Sequence, residues 1–82
     1  MRVTIKYFAS IRESIGQASE QRETTATNLA GLRDELLLNA KSYACLGRDR
    51  AVRVALNQVM SNEAALLMDG CEVAFFPPVT GG

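Results

Sequence analysis

Glu72-Val73-Ala74-Phe75-Phe76-Pro77-Pro78 reads as a strand with a hard stop. Val73 and Phe75 fall on one face of it, Ala74 and Phe76 on the other, and the apolar and aromatic content suits a pleated, buried surface. Neither proline can donate to a β-ladder, and both hold the backbone near polyproline geometry. Val79-Thr80-Gly81-Gly82 follows. Immediately upstream, Asp69-Gly70 is a turn dipeptide, preceded by a short apolar piece, Leu66 to Met68. Further back, residues 51–57 alternate, with Val52, Val54 and Leu56 on one face. Asn57-Gln58 then forms a turn into a short strand near Val59 and Met60, and residues 61–65 connect.

The first half of the chain supplies the partners for that strand. Residues 2–8 alternate, with Val3, Ile5 and Tyr7 on one face and Thr4, Lys6 and Phe8 on the other, as in a half-buried strand. Ser10 is placed to cap a short helical turn over residues 11–15, with Glu13 completing a capping box, and Gly16 stops it. Residues 17–25 predict a second strand paired with the first. Thr27 or Asn28 opens the main helix, which runs to about Asn39. Leu29, Leu32 and Leu36 recur at helical spacing, and Leu37 and Leu38 widen the stripe. Gly31, inside this helix, should cost roughly 1 kcal/mol against alanine and suits a close approach to the sheet. Residues 41–49 read as a loop or a broken helical turn.

The order ββαβ(β)β predicts an α+β domain: a mixed sheet with one main helix packed on one face. The domain covers residues 1–76, and residues 77–82 form a projecting tail. One helix covers one sheet face. The other carries Phe8, Ala74 and Phe76 beside Thr4 and Lys6, which makes it a candidate docking surface. Val3, Ile5, Leu32, Leu36, Val54, Val73 and Phe75 are assigned to the core.

Composition excludes several classes of function. The 82 residues include nine basic and nine acidic side chains, so no global field concentrates nucleic acid or anionic lipid. Arg48, Arg50 and Arg53 cluster locally around Asp49 and read as a solvated loop and strand edge. Histidine is absent, which removes the commonest general base and metal ligand. Cys45 and Cys71 lack metal-ligand spacing, so no metal and no bound cofactor are expected. Two free thiols, no leader and no long apolar run fit a cytoplasmic protein without a membrane segment.

The tail is the chemically distinctive part. A Gly-Gly end should arise in about 0.5% of chains, the square of a glycine frequency near 7%. Here it follows a stiff Pro-Pro lead that no core needs. Two residues without Cβ atoms can enter a narrow channel in another protein, and Gly82 then delivers its carboxylate as the reactive group. A carboxylate is a poor electrophile. Activation as a mixed anhydride with AMP would let a sulfur nucleophile displace AMP and leave a thiocarboxylate. The chain has no glycine-rich phosphate loop and no acid/base set, so activation requires a separate enzyme.

With the tail in view, the chain resembles the small subunits of molybdopterin synthases, sulfur carriers of the ubiquitin-like β-grasp family. Residues 69–82, D-G-C-E-V-A-F-F-P-P-V-T-G-G, are similar to that family's D-G-D-E-V-A-F-F-P-P-V-T-G-G ending. Tyr7-Phe8-Ala9 with Ile11-Arg12-Glu13 is similar to the family opening, and Ala55-Leu56-Asn57-Gln58 to its A-V-N-Q step. Cys71 departs from the usual acid and is taken as a turn residue. The resemblance implies that an E1-like enzyme consumes ATP to adenylate Gly82 and that a sulfur donor converts it to the thiocarboxylate. It implies that Pro78, Val79, Thr80, Gly81 and Gly82 enter a large synthase subunit, in a heterotetramer with two copies of each. There a cyclic pyranopterin monophosphate becomes molybdopterin. Phe8, Met60 and Phe76 match the family's apolar docking patch and Arg12 a polar contact beside it. Catalytic side chains belong to the large subunit.

Three rivals share parts of this pattern. A sulfur carrier of thiamine biosynthesis has the same architecture, though the Phe-Phe-Pro-Pro-Val-Thr lead-in speaks against it. A ubiquitin-like modifier would need the same adenylation but form isopeptides. A passive binding module would use the open face and ignore the tail.

Overall fold

The computed structural model describes residues 1–47 and 51–78. The loop reading of Arg48, Asp49 and Arg50 and the tail positions Val79, Thr80, Gly81 and Gly82 lie outside the described residues. Within them the chain runs β1 (Arg2–Tyr7), α1 (Ala9–Ile15), β2 (Ser19–Glu23), α2 (Leu29–Asn39), a 3-10 helix (Lys41–Leu46), β3 (Arg53–Leu56), β4 (Val59–Ser61) and β5 (Glu72–Phe76). The five strands form one sheet in the order β2-β1-β5-β3-β4. The pair β1–β5 is parallel and the other pairs are antiparallel. This is the expected α+β domain with a mixed sheet.

Strand parity decides what is buried. Val3, Ile5, Tyr7, Val54, Val73 and Phe75 all point to the face where Leu29, Leu32 and Leu36 of α2 pack, and all are buried. Each fully buried side chain of this size contributes roughly 1.5–3 kcal/mol by leaving water. The rings of Tyr7 and Phe75 stack with centroids 6.2 Å apart, and Tyr43 tilts against Tyr7 at 6.3 Å. The Tyr43 hydroxyl donates to Glu20 at 2.8 Å. Burial, then that adjacent carboxylate, holds the Tyr43 phenol above its ordinary value.

The helix ends follow local rules with two corrections. Asn28 caps α2, its Oδ1 accepting from the Gly31 N–H at 2.8 Å, as an N-cap asparagine should. A Cβ on Gly31 would lie 3.3 Å from both Ala26 Cβ and Asn28 Oδ1. The glycine therefore makes room for the capping loop rather than for the sheet. Gly16 ends α1 at φ 90°, its N–H donating to the Arg12 carbonyl at 2.8 Å, a left-handed cap that glycine adopts without strain. The expected Ser10–Glu13 capping box is absent. Ala9, at φ 52°, turns the chain sharply after Phe8. The helix therefore starts with Phe8 at its N-cap and no side-chain cap. Ser10 lies inside the first turn, where its hydroxyl cannot act as the cap.

Other expectations are also revised. Leu38 is 89% exposed and does not widen the core stripe, because it sits on the far side of α2. Residues 41–46 form a 3-10 helix that buries Tyr43 and Leu46. Cys71 is a core residue as well as a turn neighbour: its side chain is buried, while its backbone carbonyl accepts from the Thr4 N–H at 3.0 Å. Cys45 and Cys71 are not joined in a disulfide.

Arg33 is the buried group that periodicity did not reveal. It lies on α2 with 5% of its surface exposed. Its guanidinium donates to the carbonyls of Leu46 at 2.5 Å and Gly47 at 3.0 Å, and reaches Glu63 at 3.4 Å. Replacing Arg33 with Leu orphans those carbonyls and should destabilise the domain by about 2 kcal/mol in denaturant unfolding. A second polar contact joins β2 to α2. Glu35 accepts from Arg22 at 2.5 Å and from Thr24 at 2.7 Å. Burial pushes the Glu35 carboxyl up, but the hydrogen bonds from Arg22 and Thr24 and the Arg22 charge outweigh it. The group therefore sits below its ordinary 4.5. A carboxyl depressed on folding stabilises above its unfolded value and stops doing so as pH falls through its folded one. Glu35→Gln should thus cost about 1 kcal/mol at neutral pH. The gap to the wild type should close below about pH 4, as urea titrations across that window will measure.

Candidate docking face and tail base

The candidate site has two parts, both set by β5. The first is the sheet face that α2 leaves open. Cross-strand register aligns Lys6, Ala74, Ala55 and Met60 in one row across it. The register also places Arg53 directly opposite Phe76. Directly opposed residues share a face, so Met60, Ala55, Ala74, Phe76 and Arg53 all look outward from the sheet on the side away from α2. Phe8 joins them at the end of β1. Its N–H donates to the Phe75 carbonyl at 3.2 Å, so the parallel ladder holds it one step beyond the strand. The turn at Ala9 then leads into α1. Phe8 and Phe76 meet edge to face with ring centroids 6.4 Å apart, a favoured aromatic geometry.

Three of the four expected docking residues therefore lie on one face: Phe8, Phe76 and Met60. Phe8 is 46% exposed and Met60 54%, which leaves both open to contact on this face. Between Phe76 and Met60 lie Ala55 and Ala74, both buried beneath their neighbours. The fourth residue, Arg12, is exposed on α1. Its N–H lies 3.3 Å from the Phe8 carbonyl, which puts it one helical turn from Phe8.

The second part is the base of the tail. Pro77 and Pro78 leave the sheet from β5, the central strand, and border a cleft of ≈ 270 Å³. Ser10, Ile11 and Ser14 of α1, Cys45, Ala51 and Val52 complete its walls. No expected tail residue beyond Pro78 falls among the described residues. Among them, no group of three His, Cys, Asp or Glu side chains gathers to hold a metal ion, and no helix is long and apolar enough to cross a membrane.

Arg53, Ala55 and Ala74 are the face residues that sequence reading did not use in full. Their signal was present in parity: once Val52, Val54 and Leu56 point to the core, Arg53 and Ala55 must point away.

A family model described as the ThiS family matches residues 5–82. The molybdopterin synthase sulfur carrier subunit of Escherichia coli (strain K12) is 32% identical over 80 residues, covering 98% of this chain and 99% of that protein. Among solved structures, the crystal structure of SAMP1 from Haloferax volcanii superposes with a TM-score of 0.82 over the whole of both chains at 22% identity, a likeness of fold. A protein–protein complex of subunits 1 and 2 of the molybdopterin-converting factor from Helicobacter pylori contains a chain that matches at a TM-score of 0.70, 26% identical and fully covered.

The two faces should respond differently to truncation. Phe75→Ala empties a fully buried site and should cost about 3–5 kcal/mol. Phe8→Ala removes a half-exposed ring and should cost less than about 1 kcal/mol in the same denaturant titration. A large penalty for Phe8→Ala would place Phe8 in the core.

Proposed function

The chain belongs to the ThiS family, and we propose that it is the sulfur-carrier subunit of a molybdopterin synthase, with the Gly82 carboxylate as its working group. One observation carries the reading. The likeness to a protein named as such a carrier runs through nearly all of both chains, and the family match extends to Gly82.

The chemistry follows from what a carboxylate needs. A separate E1-like enzyme binds ATP, and a Gly82 carboxylate oxygen attacks its α-phosphate. Pyrophosphate leaves and the acyl-adenylate remains. A sulfide-level nucleophile from a sulfur donor attacks the carbonyl carbon, and AMP departs with the C–O–P oxygen. The product is the thiocarboxylate. Its sulfur then passes to a cyclic pyranopterin monophosphate in the active site of a large subunit, and two charged carriers supply the two sulfurs of the dithiolene. Hydrolysis returns the carboxylate.

This chain's own residues bind and present. Phe8, Phe76 and Met60 dock on the large subunit with Arg12 beside them, in a heterotetramer of two small and two large subunits. Pro77 and Pro78 stiffen the lead out of β5, so less freedom is lost when the tail threads. Val79 and Thr80 follow, and Gly81 and Gly82 pass where a side chain would not. Acid/base groups belong to the large subunit, and the carrier itself holds no cofactor. A cytoplasmic location suits the ATP supply of the activating enzyme.

Intact-protein mass spectrometry after incubation with ATP, an E1-like enzyme and a sulfur donor tests this directly. The expected gain is that of one sulfur replacing one oxygen, localised to Gly82. Deleting Gly82 should abolish sulfur transfer while leaving the fold and large-subunit binding nearly intact. Normal synthase activity from the truncated chain would overturn the reading.

A further inference from the structure

The open face carries more positive charge than a neutral chain leads one to expect. Arg2 pairs with Glu23 at 3.0 Å, and Lys6 pairs with Glu72 at 3.3 Å. By register these four residues share the face with Phe76 and Met60. Their charges cancel. Arg12 and Arg53 remain, each exposed and with no ion pair among the described residues. They are not scattered: Arg53 stands opposite Phe76 in the β3–β5 register, and Arg12 sits one turn from Phe8. Two arginines without an ion pair among the described residues thus stand near the Phe8–Phe76 pair, Arg53 across the ladder from Phe76 and Arg12 one helical turn from Phe8.

We infer that Arg53, acting with Arg12, selects a partner surface whose apolar socket is rimmed by carboxylates. The inference rests on the proposed docking to a large subunit and adds the charge of that subunit's contact surface and the residue that reads it. A guanidinium at the edge of an apolar contact loses water on docking, and a carboxylate across the interface replaces it with charge-assisted, two-pronged hydrogen bonds. A cationic rim on the partner would be repelled at the same two points, so the pair excludes wrong partners as well as attracting the right one. Glu23 and Glu72 share the face. They oppose a continuous polyanion, so discrete carboxylates fit where a phosphate backbone does not. Arg53 and Met60 also border a recess of ≈ 310 Å³ at the edge of the sheet, whose lining includes this chain's own Arg33 and Glu63.

The test titrates the purified large subunit against wild type, Arg53→Glu and Arg53→Leu by calorimetry and stopped-flow at about 50 mM and about 500 mM salt, conditions that span weak to strong screening. Arg53→Glu should weaken binding about tenfold or more at low salt, chiefly through the association rate, and the wild-type advantage should shrink at high salt. Arg53→Leu keeps the apolar stem and should fall between. All three should melt alike, because Arg53 is exposed. Wild-type affinity from Arg53→Glu, or a loss that salt does not diminish, would overturn the inference while leaving the carrier reading in place. Failure of the wild type itself to bind would overturn the docking on which both rest.

Discussion

The parallel pairing of β1 with β5 is the constraint on which the rest of the molecule depends. It joins the first strand to the last, through Ile5 opposite Val73 and Tyr7 opposite Phe75, and places β5 between β1 and β3. A strand hydrogen-bonded on both sides and buried on its helix face has a strongly specified register, since a slip of one residue would exchange Phe75 for Phe76 in the core. The same register therefore decides the core and the docking face together. It also fixes where the chain leaves the sheet: Pro77 follows β5 at the sheet centre, beside Phe8 and Phe76.

A second constraint ties down what covers the sheet. Buried Arg33 holds the Leu46 and Gly47 carbonyls at the end of the 3-10 helix and also reaches Glu63. One guanidinium thus connects α2, the 3-10 helix and the segment between β4 and β5. A buried charge is tolerable because its donors are directed at acceptors that would otherwise be orphaned. Asn57 does similar work at the opposite end of the sheet. Its side chain accepts from the Glu72 N–H at 2.9 Å, while its own N–H donates to the Glu72 carbonyl at 2.8 Å. The β3–β4 turn, with Asn57 and Gln58 at positive φ, is fastened to the start of β5. In the core, the Tyr7 hydroxyl is buried with no partner at hydrogen-bonding distance and angle among the described residues, and burial raises its pKa well above the ordinary phenol range.

The parts legible in the sequence were those governed by period and by turn chemistry. Alternation placed β1, β3 and β5 and their faces. Leu29, Leu32 and Leu36 placed α2, and Gly16, Asn28 and Gly70 marked ends and turns that the backbone confirms. What was not legible depended on long-range partners. Arg33 looks like any exposed helical arginine until the 3-10 carbonyls arrive, thirteen residues later in the chain. The capping box at Ser10 satisfied the local rule but lost to the turn at Ala9, imposed where Phe8 must stay in the ladder with Phe75. Cys71 follows a turn dipeptide in sequence, yet in space it is the residue at which β5 enters the core. On the open face, parity named Phe8 and Phe76, but placing Met60 on the same face, one row along, needed the actual length of the β3–β4 turn.

On the proposed reading, a carrier that serves two enzymes faces opposing demands. It would have to be recognised by the enzyme that activates Gly82 and by the subunit that takes the sulfur, and leave each in turn. A broad apolar interface would give long residence, because affinity differences between related complexes lie mostly in the dissociation rate. Here the large apolar side chains are few: Phe8 and Phe76 at one end, Met60 at the other, with Ala55 and Ala74 between them. With Ala55 and Ala74 buried between them, the apolar contact such a docking would offer is small. Charge at Arg12 and Arg53 would, on the proposed docking, raise the encounter rate at little cost to release, because rim charges act mainly on association.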